Sequence, residues 1–155
     1  MKKIINPYDH KPGYNCFGCN PDNPIGLHLQ FYEDGEEVVT RWSPSENYAG
    51  WVNTLHGGII STIMDEVASW VIMRRLQTSG VTTRLEVKFR HPVSTKEPEI
   101  IVRGKLTASA RNYHTVSLTL HDSNGTLCDT GEAVYYAFPQ ERAREMGFTG
   151  CHCEP

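Results

Sequence analysis

The 155-residue chain contains nothing close to the run of about 18 apolar residues that a membrane-spanning helix requires. Its first residues, Met1-Lys2-Lys3-Ile4-Ile5-Asn6-Pro7, pass from positive charge into Asn, Pro, Tyr, Asp and His, where an export signal would need an apolar stretch. A cytoplasmic location is therefore expected, without membrane contact. Neither sign of charge dominates: 15 Lys and Arg against 18 Asp and Glu give a net charge of −3, so the chain has no global attraction for nucleic acid. Cysteine is scarce, and its count of five is odd, which argues against a disulfide framework. Repeats and low-complexity segments are absent. What is present is a 39% hydrophobic fraction, enough for one core in a chain of this length.

Residues 1 to 26 carry Pro7, Pro12, Gly13, Pro21, Pro24 and Gly26 among several Asn and Asp, a turn-rich composition that predicts an irregular arm. Leu27 to Tyr32 and Glu37 to Trp42 flank Asp34-Gly35 and predict a hairpin. From Gly57 to Leu76, Ile60, Ile63, Val67, Trp70 and Val71 recur at helical spacing. Charge in that segment is confined to Asp65, Glu66, Arg74 and Arg75, so the helix is expected to be wrapped on most sides. Beyond Ser79-Gly80 the pattern alternates, with Thr83, Leu85, Val87 and Phe89 on one face and Arg84, Glu86, Lys88 and Arg90 on the other. Ile100 to Ala110 continues in strand mode. Val116, Leu118 and Leu120 then lead through Asp122-Ser123-Asn124-Gly125 into Leu127 to Phe138, a second hairpin. A short charged helix over Glu141 to Met146 and a tail complete the chain. The expectation is an α+β domain over 27 to 138, with an arm before it and a tail over 139 to 155. About six antiparallel strands curve around one helix, 57 to 76.

Chemistry concentrates at the start of that helix. Gly57 and Gly58 leave unpaired N–H groups with no Cβ to block a ligand, and the helix dipole adds positive potential. Such donors suit a carbonyl that becomes an oxyanion when attacked. Asp65 interrupts a buried, apolar helix, where a carboxylate is costly unless paired or functional. Eight residues beyond Gly57, it lies roughly 12 Å further along the same helix. A second, antiparallel copy of the helix would bring the two features together. The glycine pair also has a plain reading as a tight helix entry. Glu66 is the other available carboxylate, diverging from Asp65 by about 100° around the helix, and spacing leaves both open.

The segment Tyr48-Ala49-Gly50-Trp51-Val52-Asn53-Thr54-Leu55-His56-Gly57-Gly58-Ile59-Ile60-Ser61-Thr62-Ile63-Met64-Asp65-Glu66 resembles the signature of PaaI-like hotdog thioesterases. The segment Val81-Thr82-Thr83-Arg84-Leu85-Glu86-Val87-Lys88-Phe89-Arg90-His91-Pro92-Val93 resembles the strand and turn that follow it in that family. Together the resemblance covers roughly residues 25 to 138. It implies a hotdog fold, hydrolysis of an acyl-CoA or other acyl thioester, and a site shared between the subunits of a homodimer, with dimers often paired into tetramers. Catalysis of this kind requires no cofactor. Position matching assigns the base or nucleophile to Asp65 and the oxyanion donors to Gly57 and Gly58; His56 is a further candidate for a general base, while the resemblance implies that it holds the loop preceding the helix. Relatives carry a water-orienting Ser or Thr on the next strand; ungapped matching points to Thr82, whereas the alternation puts Thr83 on the apolar side. They also place an Asn or Gln before His-Gly-Gly. Gly50 occupies the matched position here, with Asn47 and Asn53 nearby.

Trp51 and Asn53, with Met64, Trp70 and Met73, are candidates to shape the acyl pocket. Arg84, Lys88 and Arg90, together with Arg74 and Arg75, could meet the phosphates of CoA, although alternating charge also describes a solvated strand face. Cys16 and Cys19 form a Cys-x-x-Cys pair and Cys151 and Cys153 a Cys-x-Cys pair; the four have the donors for a tetrahedral structural zinc site joining arm to tail. Two other functions fit the same fold: a non-catalytic acyl-CoA-binding protein, and a dehydratase acting on hydroxyacyl thioesters.

Overall fold

The computed structural model describes residues 1–155. Its main sheet has seven antiparallel strands: β1 (Lys2–Lys3), β2 (Phe31–Asp34), β3 (Glu37–Trp42), β6 (Gly80–Phe89), β7 (Ile100–Ala110), β8 (Tyr113–His121) and β9 (Leu127–Ala137). They are ordered β1-β2-β3-β7-β8-β9-β6. A short separate hairpin, β4 (Ala49–Trp51) with β5 (Thr54–Leu55), leads into α1 (Gly57–Leu76). The helix packs on β3, β6, β7, β8 and β9. This is the hotdog arrangement.

The helix carries buried residues around most of its circumference, among them Ile60, Ile63, Met64, Val67, Trp70 and Val71, as its near-uniform apolarity requires. Its start is fixed by His56, whose Nδ1 accepts from the Gly58 N–H at 2.8 Å. Its end is fixed by Gln77, a left-handed cap at φ 52° whose N–H returns to Met73. The helix sits so close to the sheet that a Cβ on Gly131 would lie 2.8 Å from Met64 Sδ. A side chain at that point of β9 would displace Met64 from its place in the core.

Both hairpin signals form turns. Asp34 pairs with Glu37 across Gly35, which adopts φ 62°, and Asp122 caps Asn124 and Thr126 around Gly125. The strand expected over Leu27 to Tyr32 is shorter than its pattern suggested. Leu27 and Leu29 are buried, yet their N–H groups bond to Phe17 and Gly18 of the arm instead of the sheet, and His28 takes φ 56°. The arm is correspondingly less irregular than its composition: it supplies β1, and Ile4 bridges to Cys153 of the tail. That added strand raises the sheet from about six to seven. The final helix is α2 (Gln140–Glu145), one residue earlier than expected. The tail then folds back to bury Phe148 and Cys151.

Candidate active site

His56, in the residue before α1, accepts the Gly58 N–H at Nδ1. The ring acts as a helix cap, which requires Nδ1 to be unprotonated. Gly58 is thereby engaged, which corrects the expectation of two free glycine donors: the Gly57 N–H is the donor left over. Gly57 opens onto a cleft of about 310 Å³ lined by Leu55, Ile60, Phe89, Arg90, His91 and Asp129, among others. A Cβ at Gly57 would sit 3.3 Å from the Phe89 ring, so the end of β6 roofs the helix start. Asp129 is 1% exposed, neither of its carboxylate oxygens has a hydrogen-bond partner, and burial pushes its carboxyl up to about 6.

At the other end of β6 lies Asp65. Its Oδ1 accepts from Thr82 Oγ1 at 2.7 Å and from the Tyr135 hydroxyl at 2.6 Å, leaving Oδ2 uncommitted. Both bonds are charge-assisted and hold the carboxylate in one orientation. Tyr135 is 2% exposed, and burial together with the Asp65 charge raises its phenol well above the usual range, so it remains a donor. A β-bulge between Thr82 and Arg84 breaks the strand's alternation. Thr82 consequently turns toward α1, while Thr83 bonds to the Val134 carbonyl of β9. Thr83 is thus outside the site, and the bulge is the physical reason. Glu66 points elsewhere. It lies beneath the arm beside Cys16, whose Sγ is 3.4 Å from Oε1, and burial holds its carboxyl near 8. The two adjacent carboxylates therefore occupy separate environments. Tyr135 escaped the sequence reading, although its position between Ala133 and Ala137 on the inward face of β9 is a signal that a buried phenol needs a partner.

A family model described as the thioesterase superfamily matches residues 52–129, the stretch from the β4–β5 hairpin through Asp129. The chain belongs to the thioesterase superfamily. No curated protein matches it. Among solved structures, a thioesterase superfamily protein aligns at 18% identity and TM-score 0.70, covering 78% of this chain and 62% of its own, so the chain spans less than two thirds of that relative. A Streptococcus mutans protein solved with acetyl-CoA aligns at 12% identity and TM-score 0.68, over 84% of this chain and 97% of its own. A hypothetical thioesterase of Streptococcus pneumoniae solved with coenzyme A aligns at 14% and 0.66, over 72% and 87%. Structures of that pneumococcal protein with an aspartate or a threonine replaced by alanine also match. No helix of the chain is long and apolar enough to cross a membrane.

The remaining candidates in this superfamily member divide clearly. Trp51, 76% exposed, and Asn53, at φ 54°, lie in the β4–β5 hairpin. The Asn53 carbonyl accepts from Thr95. Asn47 lines a shallow cleft with His56 and Gly58, while Gly50 packs against the His56 ring. Met64 and Trp70 are buried in the core, and Trp70 stacks on Phe31. Arg84 is paired with Glu132 at 2.7 Å, and Arg74 and Arg75 are tied to Glu33. Of the basic residues considered for phosphate, that leaves Lys88 and Arg90, which share a groove with Glu86 and Glu132. The four cysteines do not assemble. Cys16 and Cys19 lie together near Glu66, whereas Cys151 exchanges bonds with Gln77 at the end of α1 and Cys153 lies near Glu33. Glu66 and Gln77 are roughly 16 Å apart along the helix, so one ion cannot be held by both pairs.

Proposed function

We propose that the protein hydrolyses an acyl-CoA thioester to the free acid and thiol, at a site completed by a second copy of the chain. The observation that carries this reading is the held carboxylate of Asp65, fixed through Oδ1 by Thr82 and Tyr135, with Oδ2 free to activate water or attack the thioester carbon. The Gly57 N–H at the helix start supplies the oxyanion donor. The solved relatives with coenzyme A and acetyl-CoA support the choice of CoA as carrier.

The two halves lie about 12 Å apart on one helix, and the layout of β6 suggests how they meet. This strand forms one edge of the sheet and ends in Val81 and Phe89, 49% and 55% exposed. An unpaired edge of ten residues is a natural template for another strand. If two copies of β6 pair antiparallel about a two-fold axis, Thr82 of one approaches Phe89 of the other. Asp65 then comes to the opposite Gly57, and symmetry makes two sites per dimer.

Incubation with a panel of acyl-CoA thioesters should release free thiol, measured by a chromogenic thiol reagent. Asp65→Asn is isosteric but lacks the base and nucleophile, and should lower kcat by at least about a hundredfold with the dimer intact. Undiminished turnover in that variant contradicts the assignment. Tight acyl-CoA binding without thiol release from the native chain would support the non-catalytic reading instead.

A further inference from the structure

We propose that Cys16, Cys19 and Glu66 form a zinc site that fastens the N-terminal arm to α1. The two Sγ atoms and a carboxylate oxygen of Glu66 all lie within 4.8 Å of one another. Around a tetrahedral zinc with Zn–S of about 2.3 Å and Zn–O of about 2.0–2.2 Å, ligand atoms sit about 3.5–3.8 Å apart. Closing the three onto an ion therefore takes movements of roughly an ångström. The ligands come from two elements far apart in sequence, which is what a structural metal site joins.

The surroundings fit metal-bound thiolates. Cys16 Sγ lies 3.4 Å from Glu66 Oε1, so the first sulfur of the Cys-x-x-Cys turn already faces the carboxylate. Cys19 Sγ lies 2.9 Å from the Tyr14 hydroxyl. The Tyr14 oxygen also accepts from Asn6 Nδ2 at 2.8 Å, which leaves its proton available to a cysteine thiolate. Donors around the ligand atoms orient them and offset their charge. The turn also closes directly over the carboxylate: a Cβ on Gly18 would lie 2.7 Å from Glu66 Oε2, so the Cys-Phe-Gly-Cys sequence needs its glycine in order to approach.

Two thiolates and a carboxylate this close repel one another once ionised, and a divalent cation removes that repulsion. The donor set selects the metal. Thiolates exclude calcium and magnesium, which take oxygen ligands, and two sulfurs with one carboxylate suit zinc. Three protein ligands leave a fourth position for water. Because Glu66 follows Asp65 in α1, the ion would tie the arm to the turn that carries the proposed catalytic carboxylate. The inference stands independently of the thioesterase reading.

The test uses the full chain purified under reducing conditions without chelator. Elemental analysis should give one zinc per chain. After removal of the metal, titration with cobalt(II) should saturate at one equivalent, with the visible bands of a tetrahedral ion and a near-ultraviolet thiolate charge-transfer band. Cys16→Ser and Cys19→Ser should lose that charge-transfer band, and Glu66→Gln should weaken cobalt binding at least tenfold. Cys151→Ser and Cys153→Ser should leave it unchanged. Chelation of the native protein should expose residues 1–26 to limited proteolysis while the sheet stays resistant. The proposal is overturned if the native chain holds no zinc and gives no tetrahedral cobalt spectrum, if Cys16 and Cys19 are isolated as a disulfide that excludes the ion, or if Cys153→Ser abolishes binding as fully as Cys16→Ser.

Discussion

Asp65 and Asp129 show how environment separates two carboxylates on one protein. Asp65 is held by two strong donors, Thr82 and Tyr135, whereas Asp129 faces the cleft beside Gly57 with neither oxygen satisfied. Its carboxyl is raised from 3.8 to about 6 by burial, which makes it a liability to the fold at neutral pH. A raised carboxyl contributes no penalty below its unfolded value, where both states are protonated. The penalty grows as pH rises from about 4 toward 6 and is complete above that, at roughly 1–3 kcal/mol. Asp129→Asn should therefore stabilise the protein by that amount at pH 7.5 and by almost nothing at pH 4, as measured by urea unfolding at the two pH values. An equal change at both would show that the ionised carboxylate is not the source.

At the level of elements, α1 and β6 act as a pair. Thr82 at one end of β6 holds Asp65, and Phe89 at the other covers Gly57. The Arg90 N–H bonds to Cys128 of β9, and antiparallel alternation then directs the N–H groups of Leu85 and Val87 to the free edge. Val87→Pro removes an edge donor while preserving the ladder to β9. This variant should move from dimer to monomer by light scattering and lose thioester hydrolysis with it. A monomer that retains full turnover would contradict a site shared across that edge.

Across the whole molecule, features set by local pattern were legible in the sequence and those set by long-range docking were not. The limits of α1 followed from His56-Gly57-Gly58 and the apolar repeat that ends at Leu76. The two Gly-containing turns, at Gly35 and Gly125, followed from their dipeptides. By contrast, the bulge that turns Thr82 inward and Thr83 away has no local marker. Leu27 and Leu29 read as strand residues, but their backbone partners come from the arm, whose path no periodicity reveals. The same limit separated the cysteine pairs, since spacing identified possible ligands without showing that Glu66 and Gln77 mark different positions along α1.

In the proposed dimer each site takes its oxyanion donor from one chain and its carboxylate from the other. Subunit mixing decides whether this holds. Gly57→Pro removes the donor N–H at a first helical position, where proline is well tolerated, and Asp65→Asn removes the base; each homodimer should be inactive. A mixed dimer would contain one site with native Gly57 and native Asp65 and one site lacking both. Refolding the two variants together in equal amounts should therefore restore roughly a quarter of native turnover, because about half the dimers are mixed and each has one of two sites intact. Mixed dimers that form but remain inactive would contradict the shared site.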